Sequence, residues 1–334
     1  MTKNNNKKIA VIGAGAWGTA LARLLAEKGN EVSLWFYDKQ VLASAQRTGS
    51  NPFLPNFSLK GLKLTDDLPE AVSGAMVVVL ANPAQSNRTI LKKIKSQLEP
   101  RAKLLVVSKG IELKTFSLMS DVIKQVAPSY FKTATFLSGP SFASELAEKK
   151  ITIVSLASRD AKTAKALQQL LATDYFRPYI TSDIIGVQIG GAVKNVIAVA
   201  SGIVVGLKQG ENTKAALITR GLAEICRLGC ALGAKQETFM GSAGLGDLVL
   251  TAGSGQSRNF SFGLAVGRGQ KPSILIKQSK EVVEGYWTTK AVWHKAKALK
   301  VKMAITDELY QILFNNKNPR QAMESLMARN LKTE

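Results

Sequence analysis

KIAVIGAGAWGTALARLLAEKG, residues 8–29, joins a short apolar run to a glycine-rich turn and a helical pattern. Gly13, Gly15 and Gly18 have the G-x-G-x-x-G spacing, after a predicted strand and at the start of a predicted helix. In such a turn the first glycine permits the bend, the second lets the backbone approach a pyrophosphate, and the third allows close packing of helix on strand. The helix N-terminus then faces the anion. The stretch therefore predicts a Rossmann-type turn that binds a dinucleotide.

The next predicted strand leads into SLWFYDKQ, residues 33–40, which places an acid near the expected adenosine ribose. Asp38 lies 20 residues past Gly18, close to where an acid binds the ribose of NAD. Lys39 follows it and could instead meet the 2'-phosphate of NADP. These residues leave both cofactors, NAD(H) and NADP(H), open.

The first half of the chain alternates apolar runs with helical patterns. Runs of four to eight residues without polar alternation are typical of strands buried on both faces of a parallel sheet. These runs are KIAVIG, EVSLW, AMVVVLA, AKLLVVS, TATFLSG and ITIVSLAS. From about residue 184 the strand signals stop and helical periodicity dominates. We therefore predict an α/β domain with a mainly parallel sheet over residues 1–182 and an all-helical domain over residues 183–334.

Composition narrows the class of protein. With 334 residues and 46% apolar content, the chain is long enough and apolar enough to fill the cores of a globular protein. The net charge of +21 comes from scattered lysines, without zinc-finger spacing or an RNA-binding aromatic signature, so we expect no nucleic-acid partner. Two cysteines and a single histidine are too few for a usual zinc site, so we expect no metal.

Residues 184–207 are apolar and long enough to span a bilayer. However, Lys194 in the middle would cost about 2.5 to 3.5 kcal/mol there, and Gln188 and Asn195 add to that cost. A buried helix without membrane insertion is the better interpretation. The N-terminal apolar run is broken by glycines and lacks a signal-peptide cleavage site, so we expect a cytoplasmic protein.

A nicotinamide-dependent oxidoreductase needs a group that exchanges a proton with the substrate oxygen. The only histidine, His294, lies on a lysine-rich amphipathic helix and is expected to face solvent. Three other candidates remain: Lys109 after the strand AKLLVVS, Asp247 in a glycine-lined segment, and Lys194. On a helix Lys194 has Gly190 and Gly191 within one turn of it, which suggests a cavity for a ligand. The alternative is a lysine that reaches from a packed helix to solvent.

Two segments offer groups for a small anion. Ser257 can cap a helix whose first N–H groups point outward, and Arg258 adds a fork of donors suited to phosphate. Alternatively, Arg258 is a solvent-exposed loop residue. Gly139 and Ser141 lie in FLSGPSFASELA, a second strand-loop-helix pattern with N–H groups at a helix start.

With these residues in hand, the chain resembles the bacterial NAD(P)-dependent glycerol-3-phosphate dehydrogenases from about residue 8 to residue 325. The motifs that carry the resemblance are GAGAWGTALA, SKGIE, LSGPSFASE, GGAVKNVIA, AALITRGLAEI, GLGDLVLT, SRN and VVEG. The family has an all-helical C-terminal domain like that of 6-phosphogluconate dehydrogenase, so the resemblance implies the same here. It also implies reversible hydride transfer between sn-glycerol 3-phosphate and the nicotinamide, which gives dihydroxyacetone phosphate.

Carried over residue by residue, the resemblance makes Lys194 the proton acceptor, with Lys109 and Asp247 as further catalytic candidates. It implies that the dinucleotide contacts Ala16, Trp17, Lys109, Ala143, Arg258, Val282 and Glu284. It implies a substrate site of Lys109, Gly139, Ser141, Lys194, Asp247, Ser257, Arg258 and Asn259, with Thr251 and Asn195 as further contributors. We also expect a homodimer that supplies sn-glycerol 3-phosphate for phospholipid synthesis.

Two departures from the family pattern concern the cofactor. Phe36 and Tyr37 stand where an arginine or histidine commonly follows the second strand, which puts NADP preference in doubt and places Tyr37 with Asp38 at the expected adenosine site. The cofactor loop usually reads V-P-S-Q or V-P-T-Q, and here it is NPAQ, residues 82–85. Two other hypotheses stay open: a related reductase of a carboxylated hydroxy acid, and a non-catalytic nucleotide sensor or nucleic-acid binder.

Overall fold

The computed structural model describes residues 7–279 and 281–330, so the ends of both predicted domains, residues 1–6 and 331–334, lie outside the described residues. The chain forms two compact units. Unit 1 comprises the chain up to Lys109 together with Leu118–Ile184, and unit 2 comprises Gly110–Ser117 and the chain from Ile185 onward. Nothing in the sequence pattern indicated that the short segment 110–117 belongs with the C-terminal unit.

Unit 1 is built on an eight-stranded sheet within the described residues. Its strand order is β10-β9-β8-β7-β6-β1-β2-β5, and neighbours pair in parallel except β8 with β9. A small antiparallel pair, β3 with β4, lies apart from this sheet. The strands are β1 (Lys8–Ile12), β2 (Glu31–Trp35), β3 (Ser50–Asn51), β4 (Leu54–Ser58), β5 (Leu62–Thr65), β6 (Val77–Leu80), β7 (Lys103–Val106), β8 (Thr135–Ser138), β9 (Thr152–Ser158) and β10 (Phe176–Thr181). The expected mainly parallel α/β fold is confirmed.

The central strands are buried on both faces because helices cover them. In β1, for example, the side chains from Ile9 to Ile12 are fully buried, and all of β6 is buried. The helices of unit 1 are α1 (Ala16–Glu27), α2 (Lys39–Thr48), α3 (Leu68–Val72), α4 (Asn87–Ile94), α5 (Met119–Val126), α6 (Ala143–Ala147) and α7 (Ala161–Leu171). The carboxyl ends of β1, β6, β7 and β8 therefore lie along one edge of the sheet, the edge at which such folds bind ligands.

Unit 2 is helical, as expected. Its helices are α8 (Ile184–Gly206, whose first residue is the last of unit 1), α9 (Glu211–Ala231), α10 (Gln236–Met240), α11 (Asp247–Gly253), α12 (Arg258–Gly267), α13 (Pro272–Gln278), α14 (Glu284–Ala298), α15 (Ala304–Asn315) and α16 (Pro319–Met327). A π-helical turn, Ser242–Gly246, leads directly into α11. A buried carboxylate joins two of these helices: Glu224 of α9 accepts hydrogen bonds from the N–H groups of Ile305 and Thr306 in the first turn of α15.

Helix α8 is long and apolar enough to cross a membrane by length and composition, but 89% of its apolar window is buried inside the structure. Close backbone contacts account for part of this burial. A Cβ atom at Gly202 would lie 2.1 Å from the carbonyl oxygen of Phe260, and one at Gly206 would lie 2.5 Å from that of Leu264. Both positions therefore let α12 pack directly against the backbone of α8.

Candidate active site

The glycine turn between β1 and α1 has one open position. A Cβ at Gly13, whose φ is +118°, would lie 2.7 Å from the backbone N of Asn82, and one at Gly18 would lie 2.0 Å from the carbonyl oxygen of Gly13. Gly15 differs, because its φ of −72° suits any residue and a Cβ there would meet no protein atom within 4 Å. Neither backbone conformation nor packing against protein requires a glycine at position 15, which leaves the close approach of a ligand as the reason for one. The turn therefore fits a pyrophosphate.

Helix α1 begins at Ala16 and is capped by Gly15, with no side chain of the described residues accepting from its first N–H groups. Trp17 lies in this first turn, partly buried against the core of unit 1. Its indole nitrogen is buried and has no hydrogen-bond partner among the described residues. The backbone N–H groups of this turn are the donors available to a pyrophosphate.

At the end of β2, Asp38 caps helix α2. Its carboxylate accepts from the N–H groups of Gln40 at 2.8 Å and Val41 at 3.3 Å. Tyr37 is 88% exposed, and the ammonium group of Lys39 lies 3.5 Å from the carboxylate of Asp66. The sequence suggested a ribose ligand at Asp38; the structure adds a capping role, which a substitution by alanine would also remove.

Three predicted substrate residues meet at the carboxyl ends of β7 and β8. Lys109 Nζ donates to the carbonyl oxygen of Gly139 at 3.0 Å, and Ser141 Oγ donates to the same oxygen at 2.9 Å. Gly139 has a φ of +153°, and a Cβ there would lie 2.8 Å from Cα of Val154. Ala143, a predicted cofactor contact, is the first residue of α6, just beyond this cluster.

In unit 2, Lys194 of α8 is paired with Asp247 at the start of α11. The Nζ atom of Lys194 donates to Asp247 Oδ1 and, at 2.6 Å, to Thr251 Oγ1. Lys194 is 6% exposed, Thr251 is 4% exposed, and Asp247 is fully buried. The alternative of a lysine reaching solvent is therefore wrong: the ammonium group lies inside unit 2, where the carboxylate favours its charged form.

The predicted cavity beside Lys194 does not exist at Gly190. A Cβ at Gly190 would lie 2.3 Å from the carbonyl oxygen of Ala243, so protein backbone occupies this space. Likewise, a Cβ at Gly244 would lie 2.2 Å from the carbonyl oxygen of Phe239. Gly190 therefore lets the π-helical turn pack tightly on α8, Gly244 lets the same turn pack on α10, and Asp247 follows that turn directly.

The predicted anion site at the start of α12 has its cap. Ser257 Oγ accepts from the N–H group of Phe260 at 3.3 Å, and Ser257 is buried. The side chain of Arg258 is 57% exposed, and its guanidinium lies 3.6 Å from the carboxylate of Glu281. The N-terminus of α12 and the guanidinium group of Arg258 therefore lie close together.

Asn259 links three elements of unit 2. Its Nδ2 atom donates to Oδ1 of Asn195 at 2.9 Å, and its Oδ1 atom accepts from the N–H group of Gly285 at 2.8 Å. The predicted cofactor contacts Val282 and Glu284 lie beside Gly285, at the start of α14, and Val282 is 37% exposed. Asn259 thus holds α12 to α8 and to the first turn of α14.

Sequence reasoning missed two features. His294 is half-buried, not solvent-facing: its ring stacks on Phe116 with 4.8 Å between the ring centroids. Asn51 is fully buried and contacts the glycine turn, donating from Nδ2 to the carbonyl oxygen of Ala14. It lies in SNPF, residues 50–53, which matches no motif or period, so no sequence signal pointed to it.

Comparisons with known proteins give the same kind of match by family, by sequence and by structure. The family described as NAD-dependent glycerol-3-phosphate dehydrogenase N-terminus matches residues 8–164, and the corresponding C-terminus family matches residues 183–324. The glycerol-3-phosphate dehydrogenase [NAD(P)+] of Citrifermentans bemidjiense is 45% identical over 98% of this chain and 99% of its own length; that of Geobacter metallireducens is 46% identical over the same shares. The crystal structure of glycerol-3-phosphate dehydrogenase from Coxiella burnetii is 38% identical, with a TM-score of 0.91, over 96% of this chain and 98% of that chain.

Proposed function

The chain belongs to the NAD(P)-dependent glycerol-3-phosphate dehydrogenases, oxidoreductases that interconvert sn-glycerol 3-phosphate and dihydroxyacetone phosphate, and on that premise we propose which of its residues perform each part of the reaction. The buried pair of Lys194 and Asp247 is the observation that carries the proposal. A buried ammonium group held by one carboxylate and one hydroxyl is suited to proton exchange with a substrate oxygen.

Unit 1 binds the dinucleotide. The open position at Gly15 and the N–H groups of the first turn of α1, including those of Ala16 and Trp17, receive the pyrophosphate. Asp38 and Tyr37 lie at the end of β2, where the adenosine ribose is expected. A dinucleotide held by these residues would supply the hydride chemistry at C2 of the substrate.

Lys194 moves the proton. In oxidation the neutral amine takes the proton of the C2 hydroxyl group, and in reduction the ammonium group returns it to the carbonyl oxygen. Asp247 and Thr251 fix Nζ in place and stabilise the ammonium form. Lys109, held by the carbonyl oxygen of Gly139, supplies a second positive charge for the anionic substrate.

The substrate phosphate binds at the start of α12. The N–H groups behind Ser257 and the guanidinium of Arg258 are donors suited to a phosphate dianion. The remaining predicted contacts are Gly139 and Ser141 with the substrate and Ala143, Val282 and Glu284 with the cofactor. Asn195 and Asn259 fix the geometry of this part of unit 2 through their mutual hydrogen bond.

The initial rate of NADH and NADPH oxidation, each with dihydroxyacetone phosphate, tests the reaction and the cofactor preference together. We expect turnover with at least one cofactor. No turnover with either, combined with activity on a carboxylated keto acid, would favour the rival reductase.

The phosphate site is tested by R258A, with R268A as the matched control because Arg268 is an exposed arginine just past the other end of α12. R258A should raise the KM for dihydroxyacetone phosphate at least about tenfold, the equivalent of one hydrogen bond to a charged group, while R268A leaves it unchanged. Equal loss with a substrate analogue that lacks the phosphate would contradict this role.

Three further features belong to the proposal. The enzyme is a cytoplasmic homodimer, and it supplies sn-glycerol 3-phosphate for phospholipid synthesis. The buried α8 supports a chain without membrane insertion. Sedimentation velocity measures the oligomeric state, and a monomer at micromolar concentration would contradict the homodimer. Glycerol auxotrophy after deletion of the gene tests the metabolic role.

A further inference from the structure

Asn51 contacts the glycine turn, although it lies outside the segment of chain that forms β1, the turn and α1. It is fully buried and lies on β3, in the excursion between α2 and β5. Its Nδ2 atom donates to the carbonyl oxygen of Ala14 at 2.9 Å and to Oγ1 of Thr19 at 2.8 Å. Its Oδ1 atom accepts from the N–H group of Phe53 at 3.0 Å. Because the oxygen of the amide is held by an N–H donor, the amide cannot turn over without losing all three bonds.

The contact with Ala14 sets the direction of a peptide group. In a trans peptide the carbonyl and the next N–H point in opposite directions. The described residues contain no cis peptide bond, so holding the Ala14 carbonyl toward Asn51 directs the N–H group of Gly15 away from Asn51. A carbonyl oxygen turned toward a phosphate would repel it, whereas an N–H group attracts it.

The contact with Thr19 ties the same amide to the helix. Thr19 is fully buried, and its N–H group donates to the carbonyl oxygen of Gly15 at 2.9 Å in the first turn of α1. Asn51 therefore forms hydrogen bonds on both sides of Gly15, with Ala14 before it and with Thr19 of α1 after it. Gly15 is also the position where a Cβ would meet no protein atom, so the orientation matters most where a ligand can approach closely.

We propose that Asn51 is a positioning residue for the dinucleotide: its side-chain amide fixes the Ala14–Gly15 peptide so that the turn presents N–H groups, and no carbonyl, to the pyrophosphate. The proposal rests on the dinucleotide-binding part of the proposed function and not on the identity of the substrate. Asn51 acts on cofactor binding and has no part in proton or hydride transfer.

The test compares N51A and N51D with N30A. In N51D the shape is kept, but a carboxylate oxygen replaces the donor and faces the Ala14 carbonyl. Asn30 is the matched control, because its Nδ2 atom donates to the carbonyl oxygen of Leu25, at the other end of α1, at 2.8 Å. Calorimetric titration with NADH and with NADPH gives the Kd for each variant, and thermal melting reports stability.

Both Asn51 variants should raise the Kd for the wild type's preferred cofactor at least about tenfold, the equivalent of one lost hydrogen bond to a charged group. N51D should be the weaker binder of the two, and N30A should bind like the wild type. At saturating cofactor, kcat should stay within about twofold of the wild type and the KM for dihydroxyacetone phosphate should not change, because only ground-state binding of the cofactor is lost.

Unchanged cofactor affinity in a folded N51A or N51D would overturn the proposal and leave Asn51 a purely structural residue. So would an equal loss of affinity in N30A, because that would show a general effect of destabilisation. If N51D fails to fold because its carboxylate is buried, N51A decides. A wild type that binds NADH but does not turn over dihydroxyacetone phosphate would refute the proposed reaction and leave this inference intact.

Discussion

Replacing Lys194 by methionine separates its chemical role from its contribution to stability. The ammonium group contacts the carboxylate of Asp247 and the hydroxyl of Thr251, and all three residues are buried. Methionine keeps most of the length of the alkyl chain, so the core stays filled while the charge and the proton are removed. The Asp247 carboxylate then stays buried without the lysine cation.

Two effects of different kinds follow. A proton-transfer group contributes about 10²- to 10⁴-fold in rate, so kcat should fall by at least about 100-fold in K194M. Removing one partner of a buried ion pair costs about 3 to 5 kcal/mol, because the remaining charge stays out of water. In a domain of this size, that cost lowers Tm by about 6 to 20 °C. Affinity for NADH should change little.

The double variant K194M/D247N distinguishes the two effects. It removes the remaining buried charge, so most of the lost Tm should return while kcat stays low. K317M is the matched control, since Lys317 pairs with Glu308 at 2.6 Å in the same unit and has no proposed role in the reaction. Initial rates and thermal melts of the four proteins are the measurements. Near-wild-type turnover in K194M, or recovery of kcat together with Tm in the double variant, would refute the proton-transfer role.

Three further predictions follow from single positions. G15A should weaken NADH binding at least about tenfold with little change in Tm, since its φ suits alanine and a Cβ meets only the space reserved for ligand; a lower Tm with unchanged affinity would contradict this. D38A should raise the ratio of kcat/KM for NADPH to that for NADH, because it removes a negative charge, and it should lower the free energy of unfolding by about 1 kcal/mol through the lost helix cap. D160A is the control: it removes the cap of α7 and should lower the free energy of unfolding as much without changing that ratio. Burial raises the pKa of the Glu224 carboxyl group above its ordinary value. The folded state therefore holds this proton more tightly than the unfolded state. The resulting contribution to the free energy of unfolding is present below the ordinary glutamate pKa and is lost as pH rises through the raised value. In urea unfolding, the free energy of unfolding of E224Q should therefore rise relative to that of the wild type as pH increases from about 5 to 7. A difference between the two proteins that stays constant over this range would refute the raised pKa of Glu224.

Except for β9, where Ile153 is 40% exposed, the strands that the sequence revealed are those buried on both faces. AMVVVLA and AKLLVVS became β6 and β7 because helices cover both sides of the sheet there, which removes any polar alternation. The edge strands β5 and β10 went unrecognised. Their sequences, LKLT and FRPYIT, alternate in burial, and β10 contains a proline that weakens the strand signal.

The site shows a similar limit. A sequence shows that a glycine lacks a side chain but not what fills the space. At Gly15 the space is open and suits a ligand, whereas at Gly190 it is filled by the backbone of Ala243. Spacing along the chain also revealed Lys194 and Asp247 separately, yet their ion pair spans 53 positions and depends on how the π-helical turn packs. Asn51, 37 positions from Ala14, was invisible for the same reason.

Backbone contact along α8 also determines how this enzyme can be redesigned. At Gly190, Gly202 and Gly206 even a methyl group would collide with a carbonyl oxygen, so a library that randomises these positions would consist mainly of unfolded proteins. Leu245 and Val249 flank Asp247 in the chain and are 38% and 51% exposed, so they can change without filling occupied space. Laboratory evolution of substrate scope should therefore accumulate substitutions around α11 and leave the lysine-bearing helix as it is.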